Sequence, residues 1–253
     1  MHRSNHFNFS RFWSYLKMEL FRSRKGIWMV FGISFGTLFI LGLILTPFIE
    51  QDMTIYDHND GYTFHILIGG FVLSSLTFRD LGNSLKRYRY LTLPVSALEK
   101  FLCMWFLTTI CWVIVYTIAY YCFTLIATPI GKLLFSPLKF TNFNPFSGIA
   151  LSAIKYYLVI QGIFMVGATH FKGYILPKTV LTVIAAGLAC GIIFVLFLSD
   201  LFIAEHDCAG YECEHLSTIG ENKFWSIIKW IFWWALAPVC WIITYQGLKE
   251  KEA

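Results

Sequence analysis

Charge is what this sequence has least of. Asp, Glu, Lys and Arg make up 14% of its 253 residues and apolar residues 57%, against roughly 25% and 45–50% in soluble domains. That leaves too little polar surface to coat a water-soluble globule, so the expected class is an integral membrane protein. Spare chain is also short. A crossing of the hydrocarbon core takes about 20 helical residues, so several crossings leave only loops and tails. A soluble catalytic domain of about 100–200 residues has no room.

Chemical signatures are missing as well. The sequence has no G-x-x-x-x-G-K-[ST] phosphate loop and no H-E-x-x-H zinc motif, which argues against a nucleotide or protease site in this chain. Gly32-Ile33-Ser34-Phe35-Gly36 matches G-x-S-x-G by letter, but it lies inside an apolar run where the strand, turn and helix of a nucleophile elbow have no place. No catalytic residue, metal site or cofactor is expected. The apolar runs also lack an ionisable residue near mid-depth, where an ion-driven transporter or proton relay would place one. His65, Lys155, Asp200 and Lys229 fall within a turn or two of the run ends, and a pair such as Asp200 with Lys229 suits that boundary. Gln161 is the one deep amide, expected to make an interhelical hydrogen bond.

What is present is a set of six apolar runs, at 27–49, 62–78, 101–127, 149–169, 179–203 and 224–245. They predict an all-α, polytopic integral membrane protein with six transmembrane helices in a single domain, 1–253. Lys and Arg fix its orientation. Fifteen of the 20 fall in the 1–26 tail, the 79–100 loop, the turn at Lys172 and Lys178, and the end at Lys249 and Lys251. Ten of the 15 acidic residues fall on the other side. Both termini are therefore expected in the cytoplasm. The first 26 residues do not read as a cleaved signal peptide, because the basic segment and the following apolar run are both too long. The net charge of +5 favours anionic lipid headgroups, and no nucleic-acid partner is assigned to it.

Phe9, Phe12, Trp13, Leu16 and Leu20 recur at helical spacing, with Arg11, Ser14 and Lys17 elsewhere on the wheel. This pattern predicts an amphipathic helix lying flat at the headgroup boundary, with Arg22 to Lys25 turning the chain into the membrane. In the loop after the second run, Leu81, Leu85 and Tyr88 are expected on one face of a short helix ended by Pro94. Ser96 and Glu99 then have the spacing of a capping box. This basic, aromatic protrusion suits either a soluble partner or simple solvation.

Small residues and cysteines complete the inventory. Gly32 with Gly36, and Gly187 with Gly191, read as G-x-x-x-G pairs for close helix packing within the protein or across a dimer. Cys103, Cys111, Cys122, Cys190 and Cys240 fall in apolar runs and read as small apolar residues. Cys208 and Cys213 lie in an external loop flanked by His206 and His215. A disulfide, free thiols or a soft-metal site all remain open there. The 128–148 loop carries three prolines with Phe135, Phe140, Phe143 and Phe146. These rings are expected to anchor helix ends at the headgroups or to contact an amphiphilic substrate.

The stretch Tyr88-Arg89-Tyr90-Leu91-Thr92-Leu93-Pro94-Val95-Ser96-Ala97-Leu98-Glu99-Lys100-Phe101 resembles the segment before the third helix of ABC-2 type permeases, the membrane subunits of bacterial ABC exporters. Six runs, cytoplasmic termini, an amphipathic entry segment and a basic second loop extend the resemblance along nearly the whole chain. The external loops depart from it, lacking the re-entrant hairpin between helices 5 and 6 unless 208–222 forms a reduced version. The resemblance implies that Phe9 to Phe21 is an elbow helix and that Arg79 to Leu93 contains a coupling helix. That loop would dock on a cytoplasmic ABC ATPase, which binds ATP and Mg. Its interface would comprise Arg79, Leu81, Leu85, Lys86, Arg87, Tyr88, Arg89, Leu93, Pro94 and Glu99. The chain would be a non-enzymatic subunit in the bacterial inner membrane, pairing with itself or a related permease. The alternative is a non-transporting scaffold or sensor that recruits soluble proteins through the same basic loop.

Overall fold

A computed structural model describes residues 7–40, 55–82, 84–134, 139–206 and 223–252. The protein is all-α. Its helices are α1 (Phe9–Thr37), α2 (His58–Leu76), α3 (Ser84–Leu91), α4 (Ala97–Leu134), α5 (Gly148–His170), α6 (Ile175–His206) and α7 (Lys223–Glu252), with a 3-10 turn at Arg79–Gly82 before α3. A single parallel pairing joins β1 (Ile55–Tyr56) to β2 (Lys139–Phe140).

Among the described residues, α4 and α5 are long and apolar enough to cross a membrane. The 23 residues of α5 span about 35 Å at 1.5 Å per residue, enough for a hydrocarbon core of about 30 Å.

α5 lies between α2 and α7, and small residues let it approach both. Gly69 and Gly70 of α2 lie flush against Trp112 and the ring of Tyr157. Gly162 meets Cys240 of α7, and Gly167 meets Thr179 of α6. By contrast, a Cβ added at Gly32, Gly36, Gly187 or Gly191 would meet nothing within 4 Å. Among the described residues, the expected G-x-x-x-G pairs therefore make no close helix contact.

The larger core is aromatic. Trp112, Tyr116 and Tyr120 stack one turn apart along α4 against Tyr62 and Ile66 of α2, Val30 of α1, and Ala153 and Tyr157 of α5. Buried indoles and phenols need partners, and these have them. Trp112 Nε1 donates to the Ile66 carbonyl at 3.1 Å and the Tyr120 hydroxyl to the His58 carbonyl at 2.6 Å. The Tyr116 hydroxyl pairs with Ser34 at 2.8 Å.

The helix of α4 widens into a π turn at Phe106–Cys111. Such turns disturb the regular backbone ladder, and here the Thr108 carbonyl accepts from the Tyr157 hydroxyl at 2.5 Å. Gln161, fully buried, donates to Thr108 Oγ1 at 2.9 Å and accepts from Trp241 Nε1 at 3.3 Å. The expected interhelical hydrogen bond is thus made twice, joining α5 to α4 and α7.

Several expectations need correction. The chain does not turn at Arg22 to Lys25, because α1 runs unbroken from Phe9 to Thr37. No Pro or Gly interrupts it before Gly26, so nothing stops the hydrogen-bond ladder from propagating. Its apolar residues divide between the bundle and the outside. Tyr15, Leu16 and Glu19 are buried, whereas Phe9, Trp13 and Leu20 are exposed. α4 continues past residue 127 to Leu134 with Pro129 inside it, at the cost of the backbone hydrogen bond its missing amide would make. Nor do Phe140 and Phe143 anchor at headgroups. Both are buried, Phe143 with its ring 4.8 Å from those of Tyr62 and Tyr120, whereas Phe146 is exposed. Phe135 lies outside the described residues, as does the external loop carrying Cys208 and Cys213.

Candidate functional site

The candidate site is the basic end of the bundle, built from the start of α1, the 79–96 connection and the start of α4. The 3-10 turn Arg79–Gly82 and α3 are separate elements, which breaks the single helical face expected of Leu81, Leu85 and Tyr88. Leu81 turns inward and is buried, while Tyr88 is 74% exposed. The Leu85 side chain lies outside the described residues. After Leu91 the chain bends through Leu93 to Val95, and Ser96 caps α4.

Both halves of the capping box form. Glu99 N donates to Ser96 Oγ at 3.3 Å, and Ser96 N donates back to Glu99 Oε2 at 2.9 Å. The box carries a further load that its spacing does not announce. Arg11 of α1 holds the same carboxylate with two nitrogens, Nε at 2.8 Å from Oε2 and Nη2 at 2.7 Å from Oε1. The Asn8 amide adds a fourth donor at 2.8 Å, while the Asn8 side chain caps α1 by accepting from the Ser10 and Arg11 amides. Burial alone would raise the Glu99 pKa, but the Arg11 hydrogen bonds and the two amides override it and hold the carboxyl below its ordinary value.

A second ion pair, Arg22 with Asp80, ties α1 to the 3-10 turn. Between the two pairs, Tyr15 and Leu16 pack on Val95 and Cys103, with Leu93 alongside. Glu19 is buried there too. Burial raises its pKa, with Arg22 opposing and Asp80 reinforcing the shift. Lys100 is fully buried, its ammonium 5.1 Å from the centre of the Tyr90 ring.

The loop is also joined to the bundle. Phe78, Leu81 and Tyr90 form one buried cluster with Met104 of α4, Met165 and Ala168 of α5, Ile175 of α6 and Leu248 of α7. Gly82 lies against the Lys172–Gly173 turn between α5 and α6. Nearby, Lys251 near the end of α7 donates to the Thr169 carbonyl at the end of α5. Burial first, then Lys172 and Arg87, lower the Lys251 pKa, so these cations from three elements share one end of the molecule.

The residues expected at an interface therefore divide in two. Arg79, Lys86, Tyr88, Arg89 and Pro94 are exposed, and Arg87 is half-buried. Leu81, Leu93 and Glu99 face inward and hold the loop in place. Asn8, Arg11, Arg22 and Asp80 complete the clamp. Their signal in the sequence was a cap-forming Asn before an amphipathic helix, but their partners lie 58 to 91 positions away. Among the described residues no three metal-ligating side chains come together.

No protein-family model, curated protein or solved structure matches this chain. The functional reading rests on the geometry and on the residues themselves.

Proposed function

We propose that the chain is the permease subunit of a bacterial ATP-binding cassette exporter, with six transmembrane helices and both termini in the cytoplasm. A separate ATPase, carrying ATP and Mg, docks on the exposed side of the 79–96 loop, and a second copy or related permease completes the transport unit.

One observation supports this reading: the loop joins an exposed basic surface to the packed interior of the bundle. Its outer surface presents Arg79, Lys86, Tyr88 and Pro94. Its inner surface shares a packed cluster with α4, α5, α6 and α7. Packed interiors transmit displacement because they have little free volume. A push on Tyr88 therefore reaches Met165 and Leu248, while the Arg11–Glu99 and Arg22–Asp80 pairs make α1 move with it.

The test uses the chain co-expressed with a candidate ABC ATPase subunit from the same genome. R79E/K86E/Y88A is expected to abolish co-purification, whereas K132E/K139E at the opposite end leaves it unchanged. A Y88C cross-link to the ATPase should form at rates that differ between ATP-bound and nucleotide-free states. Docking without that nucleotide dependence would favour the scaffold reading, and intact docking of the triple variant would overturn the assignment of this surface.

A further inference from the structure

A cleft of about 550 Å³ separates α1 from the far side of the loop. Four cations line it from two elements: Arg22, Arg24 and Lys25 on α1, and Arg89 on α3. Among the described residues only Arg22 of these four has a carboxylate partner, Asp80. The rest of the lining is largely apolar, with Met18, Phe21 and Leu93 beside the buried Tyr90. The Arg24 guanidinium lies 4.2 Å from the centre of the Phe21 ring, which places charge and apolar surface side by side. One to two turns further along α1, Trp28, Met29 and Ile33 are all exposed.

We propose that this cleft is a binding site for an anionic phospholipid, its headgroup phosphate held by Arg24, Lys25 and Arg89, with Phe21 flanking the headgroup and the acyl chains running the other way along α1 over Met29 and Ile33. Guanidinium groups hold phosphate through paired donors, and basic residues just cytoplasmic of an apolar span attract anionic headgroups. An acidic peptide would satisfy the cations alone. It would leave Phe21, Met18 and the adjoining apolar face of α1 in water, so the combined lining favours a lipid. Because the site is shared by α1 and α3, a bound lipid would brace the coupling loop against the entry helix. The inference rests on the membrane reading above but not on the ATPase.

The full-length chain, delipidated in detergent, is titrated with dioleoyl phosphatidylglycerol or dioleoyl phosphatidylcholine, and bound lipids are counted by native mass spectrometry. The expected result is a preference for phosphatidylglycerol of about tenfold or more, falling to within about twofold in R24Q/K25Q/R89Q. K132Q/K139Q/K155Q removes the same charge from the other end and should keep the preference. Should the triple variant fail to fold, R24Q and R89Q alone are each expected to weaken phosphatidylglycerol binding about threefold. Absence of a preference in the native chain, equal losses in the two triple variants, or displacement of the lipid by equimolar deca-glutamate would overturn the proposal. Extraction of the chain from vesicles by carbonate would instead overturn the membrane reading.

Discussion

Arg11 grips Glu99 through two nitrogens across 88 positions of sequence, on a carboxylate that solvent does not reach. One side chain thus caps α4 and locks the entry helix to it. Removing Arg11 leaves a buried carboxylate with only amide donors. Loss of one partner of a buried pair costs about 3–5 kcal/mol, and the partial exposure of Arg11 places R11A nearer about 2–3 kcal/mol. Thermal unfolding in detergent should show R11A less stable than R11Q/E99Q, because the double variant leaves no unpaired charge.

The same pair gives a pH signature. With the folded Glu99 pKa below its unfolded value, its stabilisation is complete above the ordinary glutamate value of about 4.3. It is lost as pH falls through the folded value. The gap in stability between wild type and E99Q should hold at neutral pH and close only below that range.

Glu19 carries the opposite sign. Its folded pKa is raised, so stability falls as pH rises from the unfolded value through the folded one. Its Oε2 is also buried with no hydrogen-bond partner. E19Q removes the buried charge and should stabilise the protein at pH 7.5, converging on wild type near pH 4. Lower stability of E19Q at pH 7.5 would contradict this.

Glycine substitutions separate close packing from open surface. A Cβ at Gly69 would lie 2.7 Å from Trp112, so G69A is expected to cost about 2 kcal/mol or more through overpacking. G36A, with nothing within 4 Å, should fall within about 0.5 kcal/mol or stabilise the isolated chain. The measurement is Tm of the two variants side by side.

Gln161 joins three helices at the π turn. Q161L removes the acceptor of Trp241 and one partner of Thr108. A loss of about 0.6–1.7 kcal/mol is expected, read as a shift in Tm.

Much of this architecture was legible because long apolar runs carry their own signal. The run at 149–169 became α5 at 148–170, and the Ser96–Glu99 spacing became a real cap. What the sequence could not show depends on partners distant along the chain. Nothing local to Arg11 names Glu99, and nothing near Leu81 reveals that it faces Met165 rather than a solvated partner. Basic residues at 22–25 suggest a boundary in α1, but no backbone breaker stands there and the helix runs on. Loop composition likewise points Phe143 outward, whereas Tyr62 and Tyr120 supply a buried niche for its ring.

The most direct measurement is ATP turnover in lipid vesicles by an ABC ATPase that co-purifies with this chain, with and without the chain. The account predicts turnover that rises several-fold when the chain is present and returns to the ATPase-only level with R79E/K86E/Y88A. Turnover indifferent to the chain, or ATP hydrolysis by the chain alone, would contradict it.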